Sequence, residues 1–440
     1  MEDRAVVIGA GIAGLVAARV LSDRFAQVTV LDRDTLPDEV VPRRGVPQSA
    51  HAHILLVSGL RELTGLFAGL DEELIAVGGT RFDTGVGLCL YRYGRRWPAA
   101  PTGLELVSVS RPRLETVIRE RVTALPGVVI RDQIAVSALA GAGERVTGVV
   151  LDTGETLDAG LVVDCTGRGA RSDRWLAGLG LPAPEQTEIK VGVSYATRLF
   201  TRGPDDLPGW QAAFTLPAPP HEKMSGLALP IDGNRWLIGI GGWHLPDPPA
   251  DVPAFERAVA SLPDPAVGSV MSRVQPLTGV TVARFPSSRR RSFERLGRLP
   301  GGYVALGDAI CSFNPIYGQG MTCATKEAIA LGAALDRHGR DAGPGMARDY
   351  YAEAARIVET PWQFAVGGDF AYPETTGPRP RGIALRNWYS RRIAYASQVD
   401  PEINAAFSRV QHLVSPPEVL TEPRFVARVL RQSRRRQRTT

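Results

Sequence analysis

Two glycine-rich segments lie almost three hundred residues apart in this 440-residue chain, and each has the residue types and spacing to hold phosphate or negative charge. Near the amino terminus, Gly9-x-Gly11-x-x-Gly14 stands between an apolar run (Ala5 to Ile8) and a helical pattern (Gly14 to Arg24). Gly9 permits the tight turn. Gly11 lets the backbone approach a pyrophosphate, flanked by the Ile12 and Ala13 amides. Gly14 allows close packing of helix on strand, and the helix start stabilises the phosphate charge. Asp32 ends the next strand, 18 residues after Gly14, where a carboxylate accepts hydrogen bonds from ribose hydroxyls.

The second segment is Gly307-Asp308 followed by Asn314-Pro315-Ile316-Tyr317-Gly318-Gln319-Gly320-Met321. It reads as a strand (Tyr303 to Leu306), a sharp turn, a loop stiffened by Pro315 and a helix over 320–337. Asp308 is placed for a ribose or ribityl hydroxyl. Gly318, Gly320 and the Met321 amide sit at a helix start, where free N–H groups stabilise an anion. A reduced flavin carries such charge on its N1/C2-carbonyl edge, whereas a nicotinamide needs no second grip. The pair therefore predicts one long cofactor held from both ends, FAD. Two further residues join this set: Asp164 and Gly167 in a strand-to-turn segment, and Arg111 at the start of a helical pattern, where a guanidinium would neutralise pyrophosphate.

Composition narrows the alternatives. The formal charge of +5 is matched by five arginines in the last ten residues, which leaves 46 basic against 46 acidic residues in the rest. Residues 431–440 read as a disordered basic tail, with a peripheral membrane or nucleic-acid contact as the alternative. Cys89, Cys165, Cys311 and Cys323 form no CxxC pair, which argues against a disulfide framework, a zinc site and a dithiol redox centre, and fits a reducing cytoplasm. The alternate spacing of His51 and His53 does not suit joint metal ligation, and no metal is expected. The apolar run from Ala5 to Leu21 is interrupted by glycines and too short to span a bilayer.

The elements that must position these groups follow from periodicity. Residues 5–32 form a βαβ unit. Helices are expected near 54–70 and 111–125 and strands at 128–130, 146–151 and 161–164, with Asp152-Thr153-Gly154 as a hairpin turn between the last two. From 186 to 285, strand-like runs alternate with Pro- and Gly-rich turns, with one helix near 252–262. The expected fold class is α/β: a Rossmann-like FAD-binding domain (1–185 and 286–340), an interleaved, mostly antiparallel substrate domain (186–285) and a C-terminal helical region (341–430).

In this motif order the chain resembles the group A flavoprotein monooxygenases, with the para-hydroxybenzoate hydroxylase fold, over residues 4 to 340. The resemblance implies that Gly9, Gly11 and Gly14 hold the FAD pyrophosphate, Asp32 the adenosine ribose and Arg111 the phosphates. It places Arg33, Arg44 and Gly45 along the adenine or isoalloxazine side, Asp164 and Gly167 in the DG motif, Asp308 on the ribityl chain, and Pro315, Gly318, Gly320 and Met321 against the flavin ring. The usual Asp-Gly adjacency is here Asp164-Cys165-Thr166-Gly167. With the NPIYGQGM segment, this is most similar to the branch of polyether-polyketide epoxidases and, more distantly, squalene epoxidase. The implied chemistry uses NAD(P)H as a transient reductant and O2 as co-substrate, and epoxidises or hydroxylates a lipophilic polyketide- or terpenoid-like molecule through a flavin C4a-hydroperoxide.

Phe214, Trp236, Trp243, Phe313 and Tyr317 are the aromatic candidates to line a substrate site. His51, His53 and His244 are candidates for a base by residue type only. Flavin-dependent halogenases share the fold, but the WxWxIP segment of tryptophan halogenases is absent. A flavin-dependent alkene reductase and a non-redox polyene cyclase remain as rival readings.

Overall fold

A computed structural model describes residues 3–245, 247–339 and 341–438, without the side chains of 437 and 438. The architecture grows from the first strand, Arg4–Ile8, which after Arg4 is buried on both faces. A strand with two buried faces belongs inside a parallel sheet covered on both sides. The sheet has the order Tyr303–Ala305, Leu161–Asp164, Arg4–Ile8, Gln27–Leu31, Val128–Arg131, and all four pairings are parallel. The helices Ile12–Ser22 and Gly320–His338 pack on each other against this sheet. Both motif loops therefore leave the same end of the sheet, at the carboxyl ends of its strands, where open α/β sheets bind ligands.

The second layer is an eight-stranded mixed sheet whose long members are Glu185–Thr201, Met224–Ile231, Arg235–Trp243 and Thr281–Ser292. Asp232-Gly233-Asn234 turns between the middle two, as expected. The sheet also takes in Leu88–Arg92, paired in parallel with Ala212–Thr215, and Arg95–Arg96 at its edge. Leu88–Arg92 and Arg95–Arg96 come from within the 1–185 stretch, so chain from the amino-terminal half completes the large sheet. One turn differs from its expected partners: Asp152-Thr153-Gly154 joins Arg145–Leu151 to the short strand Thr156–Asp158, not to Leu161–Asp164. The run Leu161–Asp164 is wholly buried and pairs in the parallel sheet instead.

The main core lies between the parallel sheet and its helices and continues into the helix Pro344–Asp369 through Tyr350 and Tyr351. A second core packs Trp236, Ile238, Phe255, Val259 and Val267 under the large sheet. Each such side chain contributes about 1.5–3 kcal/mol on full burial. A third core joins the C-terminal helices through Ile393, Ile403, Phe407 and Val429.

The basic tail corrects the disordered reading. Pro423–Arg438 is one helix. Val429 on it is fully buried, Arg428 holds Asp400 at 2.6 Å, and Arg436 donates to the Gln398 side chain at 2.8 Å. Thr439 and Thr440, the end of the expected tail, lie outside the described residues. No helix among the described residues is long and apolar enough to cross a membrane.

Candidate functional site

The amino-terminal glycines divide their work as their surroundings require. Gly9 adopts φ +107°, and a Cβ there would lie 2.6 Å from the Cys165 carbonyl oxygen. A Cβ on Gly14 would lie 1.7 Å from the Gly9 carbonyl oxygen. Gly11 is different: a Cβ would meet only the tips of Arg43 and Arg111, at 3.9 and 4.0 Å. Its face is open, so a phosphate can reach the backbone. The helix Ile12–Ser22 starts there with no side-chain cap among the described residues, which leaves its first N–H groups for a ligand.

Asp32 is pinned at the next strand end. Its Oδ2 accepts from the Ala10 N–H at 2.7 Å and its Oδ1 from the Asp34 N–H at 2.9 Å. Arg43 turns inward over it, 3.3 Å from both Asp32 and Asp34 and 2.7 Å from Glu115. Arg44, the arginine expected to line the site, is exposed. Two adjacent arginines are indistinguishable in sequence, and only the direction of the loop separates them. Glu115 also holds Arg111 at 3.0 Å. Burial pushes the Glu115 carboxyl up, but Arg111 and Arg43 together hold it below its ordinary value. Arg111 is 8% exposed, and its Nε has no partner among the described residues. An orphaned, buried guanidinium donor beside an open glycine fits a phosphate.

The DG-type segment is arranged differently from its expected role. Asp164 is fully buried and accepts from Thr166, Ser172 and Tyr303 at 2.6 to 3.0 Å, so it braces the turn and does not face the cleft. Thr166, Gly167 and Arg168 face it instead. Gly307 is likewise a support: its N–H donates to Glu327 at 2.6 Å. Burial pushes Glu327 up to about 8, although that Gly307 bond acts to lower it. Asp308 faces the cleft. Burial raises its carboxyl to about 6, opposed by Arg168 and Arg111.

The loop after it is fixed by Asn314, which is fully buried and accepts from the Ile316 N–H at 3.1 Å. Gly318 then takes φ +67°, and the helix Gly320–His338 begins without a side-chain cap among the described residues.

A single cleft of about 540 Å³ joins these parts. It runs from Gly9, Gly11, Ile12, Ala13, Asp32, Arg33 and Gly45 past Arg111, Gly167 and Asp308 to Pro315, Gly318, Gly320 and Met321. Gly14, Arg44, Asp164 and Gly307 stand outside its wall. Open glycine backbone, a buried arginine whose Nε has no partner among the described residues and two uncapped helix starts along one cleft fit an elongated cofactor that carries a pyrophosphate along its length and a polar ring at one end.

Of the aromatic candidates only Phe313 lines the cleft, joined by Tyr195 and Phe285, which the sequence reading missed. Trp236 is core, and its Nε1 donates to Asp206 at 2.9 Å. Phe214 borders a small apolar cavity with Phe82 and Leu106. Trp243 and Tyr317 turn to Asp369, which accepts from the Trp243 Nε1 at 2.8 Å and the Tyr317 hydroxyl at 3.4 Å. Asp369 lies too far along the chain for any local motif to flag it.

His53 lines the cleft, while His51 stands behind it with its Nδ1 2.8 Å from the Thr197 hydroxyl. Burial lowers His51 to about 4; burial, and then Arg111, lower His53 to about 3. His53 Nδ1 is 3.0 Å from the His51 carbonyl oxygen, which only accepts, so Nδ1 carries the proton and Nε2 is the acceptor. His244 lies apart, its Nε2 3.1 Å from the Thr375 hydroxyl. The four cysteines are buried free thiols, and no His/Cys/Asp/Glu group among the described residues could hold a metal.

A family model described as an FAD binding domain matches residues 2–365. Protein Rv3254 of Mycobacterium tuberculosis is 33% identical over 469 aligned residues, spanning 100% of this chain and 97% of that protein. Among solved structures, the flavin-dependent brominase Bmp2 superposes with a TM-score of 0.67 at 14% identity, covering 99% of each chain. The 2-methyl-3-hydroxypyridine-5-carboxylic acid oxygenase superposes at 0.62 and 20% identity, covering 93% of this chain and 97% of that one. At these identities the structural likeness speaks for fold, and the family match carries the assignment. The chain belongs to the family whose model is described as an FAD binding domain.

Proposed function

We propose that the protein uses NAD(P)H and O2 to insert one oxygen atom into a lipophilic small molecule, by epoxidation or hydroxylation of a polyketide- or terpenoid-like substrate. What supports the reading is the apolar share of the cleft wall, to which Ile54, Tyr195, Phe285 and Phe313 contribute alongside Pro315 and Gly318, with the Arg168 guanidinium over the Phe285 ring.

When bound, FAD supplies the reduction of O2 and the electrophilic oxygen. The chain's own residues do the rest. The free amides after Gly11, with Arg111, hold the pyrophosphate, and Asp32 holds the ribose. Asp308 binds the ribityl chain. The Gly320 and Met321 amides hold negative charge on the ring edge. The apolar residues exclude water from the oxygen-transfer region.

The histidines support an alkene over a phenol. His53, lowered to about 3, stays neutral near pH 7 and has little tendency to take up a proton. Epoxidation of an alkene needs no protein base. A substrate hydroxyl would still find the His53 Nε2 lone pair as an acceptor.

The test is oxygen uptake driven by NAD(P)H and stimulated by lipophilic alkenes, with the product mass read alongside. The expected product gains one oxygen. Anaerobic turnover with a gain of two hydrogens would replace this reading with an alkene reductase. An isomer formed without NAD(P)H would replace it with a cyclase.

A further inference from the structure

Exposed large apolar side chains are scattered over the surface except on one helix. On Ile383–Ser397, Leu385 is 69% exposed and Trp388, one turn on, is 40% exposed. Val399, 38% exposed, follows just past the helix end. Their setting is cationic. Residues 379–440 contain thirteen arginines, no lysine and four carboxylates, a net +9 in a chain of net +5, which leaves −4 on residues 1–378.

Two of the four carboxylates are already engaged: Asp400 is buried against Arg428, and Glu402 also meets Arg428. The Arg392 guanidinium lies 5.5 Å over the Trp388 ring, and Arg381 and Arg391 flank the apolar pair on the exposed side. Arg424, Arg431 and Arg434 are exposed on the neighbouring helix Pro423–Arg438. That helix packs on Ile383–Ser397 and is held in place by Val429, Arg428 and Arg436, so its exposed arginines are carried on an ordered helix next to the one that bears Leu385 and Trp388.

We propose that this C-terminal face docks the protein on an anionic phospholipid surface. Arginines draw it to acidic headgroups, and Trp388 and Leu385 enter the interface, where an indole with an apolar body and a polar edge is at home. Nucleic acid would use the charge but would leave Leu385 and Trp388 without a role.

The full-length, FAD-loaded protein is sedimented with vesicles of phosphatidylglycerol and phosphatidylcholine, and with vesicles of phosphatidylcholine alone. Binding to the anionic vesicles is expected to exceed binding to the neutral ones at least tenfold and to fall as salt rises. Leu385→Asp with Trp388→Asp, and separately Arg431→Glu with Arg434→Glu, are each expected to cut vesicle binding at least tenfold with flavin content unchanged. Four results would overturn the proposal. These are no vesicle binding, equal binding to both compositions, binding to short duplex DNA but not to vesicles, and loss of a self-associated species in the Leu385/Trp388 variant with vesicle binding intact.

Discussion

Asn314 and Asp369 meet across the join between the flavin-side loop and the C-terminal helix, with Asn314 Nδ2 donating to Asp369 Oδ1 at 2.7 Å. The same oxygen accepts from Trp243 of the large sheet and from Tyr317, while Asp369 Oδ2 has no partner among the described residues. One buried carboxyl therefore ties together the loop, the sheet and the helix Pro344–Asp369.

Burial pushes Asp369 up to about 7, against the lowering effect of its three donors. A folded-state pKa above the unfolded value means that the stabilisation is fully present below the ordinary carboxyl range, about pH 4, and is lost progressively as pH rises from there to about 7. Within that window each pH unit costs about 1.4 kcal/mol for the single proton, and above it, where both states are ionised, the loss is constant. Asp369→Asn removes the titration. The difference in Tm between wild type and Asp369→Asn is expected to shift in favour of the variant as pH rises from about 4 to about 7, and to level off above that. A pH-independent difference would show that Asp369 does not titrate there.

Asp308→Ala removes the carboxylate that faces the middle of the cleft. FAD affinity is expected to fall at least tenfold, with circular dichroism unchanged. Phe313→Ala is expected to change KM for substrate with flavin content retained. If Asp308→Ala is purified with a full complement of FAD, the placement of this residue on the ribityl chain is wrong.

Arg43 and Arg44 separate sharply. Arg43→Met removes the ion pairs to Asp32 and Asp34 and leaves Glu115 paired with Arg111, and removing one partner of a buried ionic network costs about 3–5 kcal/mol. Loss of bound FAD and a lower Tm are expected. Arg44→Met, at an exposed position, is expected to leave both unchanged. Equal effects at the two positions would contradict the inward turn of Arg43.

Gly14→Ala puts a methyl group where the Gly9 carbonyl oxygen stands, so the strand and helix must move apart. Overpacking of this kind costs about 1–3 kcal/mol. The expected result, read by flavin absorbance and thermal melting, is poor FAD retention together with reduced Tm. Gly11→Ala has room in the protein alone, so it is expected to weaken FAD binding without lowering the Tm of the apoprotein.

The sequence alone carried the two motif loops. Their chemistry is local: a glycine spacing, an acidic strand end, a proline-stiffened loop and the helix that follows are all written within a few residues of one another. The βαβ unit, the Tyr303-to-helix segment and the family assignment were legible for that reason. Tertiary structure decided everything that depends on which way a side chain turns or on what arrives from far along the chain. It chose Arg43 over Arg44, moved Asp164 from the cleft to the brace beneath it, and sent Trp236 into a core. It brought Leu88–Arg92 into the large sheet and Asp369 to Trp243, Asn314 and Tyr317. Periodicity reports that a residue is buried. It does not report which of several buried surfaces receives it, because that choice is made by the packing of elements hundreds of residues apart.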